Sequence, residues 1–240
     1  MIYGKHSVED FLQTGGEIIE LFLLQGLKPQ FTERWLLISE QKGFKVKLMR
    51  RRELDLLVGS SNHQGIAARV KLPPILDLDD WWSSLNSENV LVTVLDHIYD
   101  PQNLGAIIRS AEFFGTDGVG IPRRRSVSLT PAVIKASVGA VWRVSLVEVA
   151  NIAETLRKLK RWGFWVYGLD SRGELNIWEV KWEKRTALVL GNESVGLGAL
   201  TRKLCDDLVR IPGTGKIDSL NVSVATGVAL GAYRKSRVFS

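Results

Sequence analysis

The stretch from Ile211 to Arg234, IPGTGKIDSLNVSVATGVALGAYR, constrains this chain most. It runs from an apolar strand end into a PGTGK turn, then a polar Ser219-Leu220-Asn221 triplet, then a run of small and β-branched residues. Gly213 and Gly215 let the backbone approach a ligand closely. Ser219 can cap the helix that follows, and a helix N-terminus offers unpaired N–H groups. Val222, Val224, Ala225, Val228, Ala229 and Ala232 give that helix a small-sided surface, so something must pack tightly on it. Taken alone, the stretch reads first as a capped core helix after a glycine turn.

Two further constellations lie upstream. Asn103-Leu104-Gly105-Ala106-Ile107-Ile108-Arg109 reads as a helix start with the pattern N-x-G-x-x-x-R. Leu188-Val189-Leu190-Gly191-Asn192-Glu193-Ser194-Val195-Gly196 reads as an apolar strand ending in G-N-E-x-x-G. Together with SLNVSVATG they resemble, in order, the three motifs of the SpoU (TrmH) class of SPOUT RNA ribose methyltransferases. The resemblance runs from about Val90 to Arg237. A weaker one covers YGKHSVEDFL and SNHQGIAARV, which look like the RNA-binding domain that precedes some SpoU catalytic domains.

Composition is compatible with this. The chain has 240 residues, enough for one large domain or two small ones, and a formal net charge of +6. That charge suits a polyanion partner without requiring one. No apolar run approaches ~20 residues, so no membrane span is expected. The N-terminus MIYGKHSVEDF has no apolar signal core, and the single Cys205 builds no disulfide framework, so a cytoplasmic location is expected. His6, His63 and His97 are scattered, so no metal site is expected.

Residues 1–73 read as a small α/β RNA-binding domain. Ser7 can cap a helix to Thr14; Ile18–Leu24 is an apolar strand; residues 32–41 are helical; residues 44–48 alternate as a half-buried strand; residues 51–58 are a short helix; residues 65–70 close the unit as a strand. Lys42, Lys45, Lys47, Arg50, Arg51 and Arg52 form a basic cluster, either a solvated face or an RNA contact. His63, in the sequence His63-Gln64-Gly65, is either a turn residue or an RNA contact. Residues 74–89, rich in proline and acids at their start, read as the linker, with Trp81 and Trp82 docking on one of the domains.

Residues 90–240 read as repeated βα units: strands at 90–95, 118–121, 164–169, 187–190 and 208–211, and helices at 103–115, 131–138, 151–162 and 200–204. Arg123-Arg124-Arg125 opens a basic loop, Thr130 caps one helix and Asn151 another. The expected fold is α/β: a mostly parallel sheet with helices on both faces, binding ligands at the carboxyl ends of its strands. The resemblance adds what periodicity cannot: a deep trefoil knot formed by the loops after Leu190 and Ile211 and the turn at 219–221.

The resemblance implies methyl transfer from S-adenosylmethionine to a ribose 2′-hydroxyl of RNA. It implies cofactor contacts, largely through backbone, at Gly191, Ile211 and Leu220, with Leu190 and Gly168 beside them. It implies catalytic roles for Arg109, Asn103, Glu193, Ser219 and Asn221. A guanidinium is a poor base, so Arg109 is better suited to stabilising the developing alkoxide or orienting a phosphate. Asn103 fits a helix cap as well as an active-site amide, and Ser219 a cap, a substrate contact, or both. Glu193 could hold Arg109 or a backbone turn, and Asn221 could tie the loops together. The proton acceptor stays open; Asp96 and His97 lie at a strand end but match none of the motifs. The family's homodimers, with active sites near the subunit interface, imply a second copy, for which residues 225–232 could be the contact.

The two-domain layout is closest to the group that modifies a guanosine in large-subunit (23S) ribosomal RNA. Related transfer-RNA enzymes generally lack the first domain. Asn192 departs from this, since ribosomal relatives often carry alanine there and transfer-RNA relatives asparagine. A non-catalytic RNA-binding or ribosome-assembly protein on the same fold is the competing class. A dinucleotide oxidoreductase is disfavoured, because no G-x-G-x-x-G follows the strand Val90–Leu95.

Overall fold

Strand and helix alternate along the whole chain in the computed structural model, which describes residues 1–13, 16–122, 129–193 and 195–238. The chain divides after Pro73 into two units, Met1–Pro73 and Pro74–Ser240. Arg123, Arg124 and Arg125 of the expected basic loop, and Thr14, lie outside the described residues.

The first unit runs β1 (Ile2–Tyr3), α1 (Lys5–Gln13), β2 (Ile18–Leu24), α2 (Pro29–Lys42), β3 (Lys45–Met49), α3 (Arg51–Val58), β4 (Ile66–Val70). Its sheet has the order β1-β4-β2-β3, with β2 and β3 parallel and the other pairs antiparallel. Helix α1 starts at Lys5, so Ser7 is not its cap. His63 is 2% exposed: its Nδ1 accepts the Gly65 N–H at 2.9 Å and its Nε2 donates to Asp55 at 2.9 Å. Both ring nitrogens are thus spent inside the fold, and His63 is a turn-fixing residue rather than an RNA contact. The six basic residues between 42 and 52 are all exposed.

The second unit runs β5 (Ile75–Leu76), α4 (Leu78–Ser83), β6 (Val90–Leu95), α5 (Pro101–Phe113), β7 (Gly118–Pro122), α6 (Pro131–Ser137), β8 (Leu146–Val149), α7 (Ile152–Arg161), β9 (Trp165–Leu169), β10 (Leu175–Asn176), β11 (Arg185–Leu190), α8 (Ala199–Leu204), β12 (Asp207–Arg210), α9 (Val222–Val238). Residues 74–89 are therefore not a free linker. Strand β5 pairs with β8, and Trp81 of α4 is fully buried, its indole N–H donating to the Asp117 carbonyl at 3.0 Å. The prolines and acids made this segment look solvated, but the tryptophan needs a core and finds it against Gly118.

Among the described residues the second sheet has the order β10-β12-β9-β11-β6-β7-β8-β5, and every pairing is parallel. Alternation along β6 covers both faces. Val90, Val92 and Val94 pack with Trp81 of α4 and with Leu156 and Leu159 of α7. On the helical layer that holds α5, both α6 and α9 pack against that helix. Buried strands covered on both sides read as near-continuous apolar runs; β6 departs from this only at Thr93, and β11 only at Arg185 and Thr186. From β6 the chain proceeds through β7 and β8 on one side, then crosses to β9 and β11 on the other. The strand order thus reverses between β6 and β11. Ligands of open α/β sheets bind at such a reversal, outside the carboxyl ends of the strands. No helix among the described residues is long and apolar enough to cross a membrane.

Candidate active site

Strands β6 and β11 end side by side, with Leu95 opposite Leu190 and the Asp96 N–H donating to the Leu190 carbonyl at 2.8 Å. Beyond Leu190 the chain turns back on itself: Asn192 and Gly196 exchange backbone hydrogen bonds of 3.1 and 2.8 Å. Gly191 sits under this turn. A Cβ there would lie 2.4 Å from the Gly196 carbonyl carbon and 2.5 Å from the Leu197 nitrogen.

The three motifs meet beside this turn. Helix α5 is capped by Asp100, whose carboxylate accepts the Gln102 N–H at 3.0 Å, with Pro101 opening the helix. Asn103 is therefore not the cap, and its side chain reaches across the site. Its Nδ2 donates to Glu193 Oε1 at 3.1 Å, and its Oδ1 accepts from Asn221 Nδ2 at 3.0 Å. Asn221 Nδ2 also donates to Glu193 Oε1, as does the Val222 N–H at 3.2 Å. Asn221 Oδ1 accepts from the Ser223 N–H at 2.9 Å and the Ser223 hydroxyl at 2.6 Å. The cap of α9 is thus Asn221; the expectation of Ser219 as cap is corrected by two residues. The carboxylate of Glu193 lies at the N-terminus of α9, where a negative charge is favoured. Bonds to an ionised acceptor are the strong kind, so one carboxylate oxygen ties three distant segments together.

The other expected site residues fall into two groups. Residues 212–220 form an exposed irregular segment that carries Ser219, and Leu220 and Ile217 are 48% and 82% exposed within it. Ile211 and Gly191 are half-buried at the strand ends. Leu190 and Gly168, by contrast, are buried. A Cβ on Gly168 would meet Cys205 Sγ and Leu197 Cδ1 at 2.7 Å, so this glycine is required by packing beneath the site. Burial pushes the Cys205 thiol up to about 12, which makes it an inert filler rather than a nucleophile.

Arg109 lies outside the Asn103–Glu193–Asn221 network. It is exposed on α5 and lines a cleft of about 370 Å³ with Phe113, Phe114, Ser137, Val138 and Arg143. Gly105, one turn before it, is where α6 crosses α5: a Cβ there would lie 2.4 Å from the Ala136 Cβ. The small side of α9 is taken up within the chain. Gly227 faces Ser110 and Gly231 faces the Phe114 ring, at 3.8 and 3.5 Å from an added Cβ.

Sequence reading passed over one polar pair at the same strand end, Asp96 and His97. Asp96 is fully buried and bonded to the His97 ring, and its other oxygen accepts the Gly198 N–H at 2.9 Å. The available signal was an Asp-His dipeptide directly after a largely apolar strand, at the reversal of strand order. Among the described residues no group of His, Cys, Asp and Glu could hold a metal ion.

Residues 90–231 match the SpoU rRNA methylase family, and residues 1–76 match the RNA 2′-O ribose methyltransferase substrate-binding family. This chain belongs to the SpoU methylase family. Its relatives include the 23S rRNA (guanosine-2′-O-)-methyltransferase RlmB of Shewanella oneidensis, 38% identical over 96% of this chain and 94% of that protein. The putative TrmH family tRNA/rRNA methyltransferase YacO of Bacillus subtilis is 33% identical over 98% and 95%. The SpoU methyltransferase AviRb of Streptomyces viridochromogenes, solved in complex with AdoMet, shares the fold at a TM-score of 0.83. That alignment spans 99% of this chain and 90% of that one at 23% identity. The SpoU motifs, dispersed over more than 100 residues of this chain, are therefore the segments that its fold gathers at one strand end.

Proposed function

We propose that this protein methylates the 2′-hydroxyl of a guanosine in large-subunit ribosomal RNA. The family makes it an S-adenosylmethionine-dependent RNA 2′-O-methyltransferase. The observation that carries the reading is the hydrogen-bonded meeting of Asn103, Glu193 and Asn221, one residue from each motif. A relative that covers both units and is named for guanosine methylation of 23S rRNA supports the finer substrate. A matched substrate-binding unit ahead of the catalytic one supports an RNA large enough to need both.

The residues present fit the cofactor. Gly191 and Ile211 follow the ends of β11 and β12, the two strands that flank β9, and the apolar Leu220 and Ile217 are exposed in the segment after Ile211. Such a surface recognises an adenosine through backbone N–H and C=O groups and apolar contact. Leu190 and Gly168 shape the floor from beneath. When bound, the sulfonium supplies an electrophilic methyl group; the chain must align the hydroxyl, stabilise its charge and accept its proton. Glu193 and Asn221 hold the loops in register, Asn103 links them to α5, and Ser219 lies in the open segment where substrate can touch it. Arg109 stabilises the developing alkoxide or holds its phosphate. The knot implied by the resemblance and a cytoplasmic homodimer belong to the same reading. Exposed Phe113, at 78%, and Val224, at 53%, lie on the packed helices α5 and α9 and support a second copy there. Sedimentation as a two-chain species would bear this out, and a monomer at micromolar concentration would count against it.

Transfer of labelled methyl from S-adenosylmethionine to size-fractionated total RNA, followed by mapping, tests the substrate. Label in one guanosine of large-subunit RNA is expected; label in transfer RNA would overturn that assignment and keep the chemistry. Deleting Met1–Pro73 should weaken RNA binding about 100-fold at low salt, since its exposed basic residues would neutralise phosphates. Cofactor affinity, measured by calorimetry, should stay within about twofold. Equal losses of both would argue against separate RNA binding by this unit.

A further inference from the structure

We propose that His97 is the proton acceptor for the ribose hydroxyl and that Asp96 orients it, an assignment that rests on the methyltransferase reading above. The motif residues leave this role unfilled. A guanidinium stays protonated, so Arg109 cannot take the proton. Glu193 Oε1 already accepts from Asn103, Asn221 and the Val222 N–H, which makes it the joint of the scaffold. A serine hydroxyl such as that of Ser219 is no base.

The Asp96–His97 geometry is that of an oriented base. Asp96 is fully buried, and a carboxylate can only accept. Its Oδ1 contacts His97 Nδ1, so the proton of the neutral ring sits on Nδ1 and the lone pair on Nε2. Its Oδ2 is fixed by the Gly198 N–H of the second motif's turn at 2.9 Å. The ring is 54% exposed, so Nε2 is open to an incoming group. This is the relation between a buried acid and an exposed imidazole that makes a general base.

Two further observations place the pair in the site. His97 has a φ of +58°, in the left-handed region, which costs a non-glycine residue on the order of 1 kcal/mol. That backbone is held by the site itself: the His97 carbonyl accepts from Asn192 Nδ2 at 2.9 Å, and Asn192 adjoins Glu193. Asp96 also follows β6 at the reversal of strand order, opposite the start of the turn that carries Gly191. Strain held in place by a neighbouring motif is what a positioned group requires.

The step balances without a further reactant. The 2′-oxygen bonds to the methyl carbon while the carbon–sulfur bond breaks, and sulfur keeps that electron pair as a neutral thioether. The hydroxyl proton passes to His97 Nε2. The resulting imidazolium is held by the Asp96 carboxylate through Nδ1–H and returns the proton to water when product leaves.

The test is His97→Gly in the full chain. Glycine suits φ +58°, so the variant should fold, with a melting temperature no lower than wild type. Cofactor affinity by calorimetry should remain within about threefold. Single-turnover methyl transfer to RNA should fall roughly 100-fold, the usual size of a general-base contribution. Added imidazole should restore at least about tenfold of it, which a structural role would not allow. In wild type, nitrogen NMR should find the His97 ring protonated on Nδ1. Transfer within about threefold of wild type, loss that imidazole does not restore, or a ring protonated on Nε2 would each overturn the assignment. If wild type itself transfers no methyl to any RNA, the enzymatic reading fails and this one with it.

Discussion

Arg109→Ala is expected to slow single-turnover methyl transfer by roughly 1,000-fold while leaving cofactor affinity within about threefold. The side chain is exposed on α5 and lies outside the Asn103–Glu193–Asn221 network, so its loss breaks no hydrogen bond that holds the loops together. The proposed cofactor surface at Gly191, Ile211 and Leu220 should therefore be unaffected. What disappears is the one cation of the motif set at the moment when negative charge develops on the ribose oxygen. Arg109→Lys separates the two ways in which that cation can act. Lysine keeps a point charge but loses the planar fork that grips phosphate in two places. If Arg109 stabilises the alkoxide, lysine should recover much of kcat. If it orients a phosphate, lysine should leave KM for RNA raised and kcat low. A near wild-type rate for the alanine variant would remove Arg109 from the catalytic set.

Much of this was legible because buried parallel strands have little freedom in composition. Val90–Leu95 is apolar but for the buried Thr93, and its limits in the structure are those of the sequence reading. Helix α5 was legible from Leu104, Ile107, Ile108 and Ala111, all of which are buried. Its first turn was not. The pattern placed Asn103 at the start, whereas Asp100 and Pro101 begin the helix two residues earlier and leave Asn103 free for the site. The same displacement separates Ser219 from Asn221. Serine and asparagine are comparable caps, and the choice is settled by Glu193, which is 28 residues away in sequence and holds Asn221 in place.

Strands β5 and β10, two residues each, are too short to show any period. Residues 74–89 misled for a different reason. Prolines and acids mark solvated chain, but burial of one tryptophan outweighs several exposed polar residues, and Trp81 carries its segment into the core. His63 shows the converse. A histidine in a glycine turn of a basic RNA-binding unit invites a role in contact, yet an N–H donor and a carboxylate within the fold consume both of its nitrogens. Asp96 and His97 were noticed at the strand end but given no role, because the contact that fixes Asp96 comes from a turn 102 residues later, the one that supplies Gly198.

That turn is also where the largest effect on the fold is expected. Gly191→Ala should lower stability by about 3 kcal/mol, at the upper end of what overpacking costs. For a chain of this size that corresponds to a fall in melting temperature of about 6–12 °C. Gly191 has no left-handed backbone, so the penalty is one of space. The added methyl would meet Gly196 C, Leu197 N and Gly196 O at 2.4, 2.5 and 2.6 Å, all backbone atoms that no rotamer change can move aside. The turn must open instead. Opening it undoes the Asn192–Gly196 pairing, draws Gly198 from Asp96 and Asn192 from His97, and pulls Glu193 away from Asn103 and Asn221. One methyl group should thus disable cofactor binding, expected to weaken by more than about 100-fold, a loss of roughly 3 kcal/mol. RNA affinity should be largely kept, because residues 1–73 form a unit of their own. Gly196→Ala is the comparison that isolates the cause. Its φ of +72° makes alanine costly by conformation, but nothing lies within 4 Å of the new carbon, so about 1 kcal/mol is expected and the turn can stay closed. If Gly191→Ala instead melts within about 2 °C of wild type and binds cofactor normally, then closure of this turn over Gly191 is not what assembles the site.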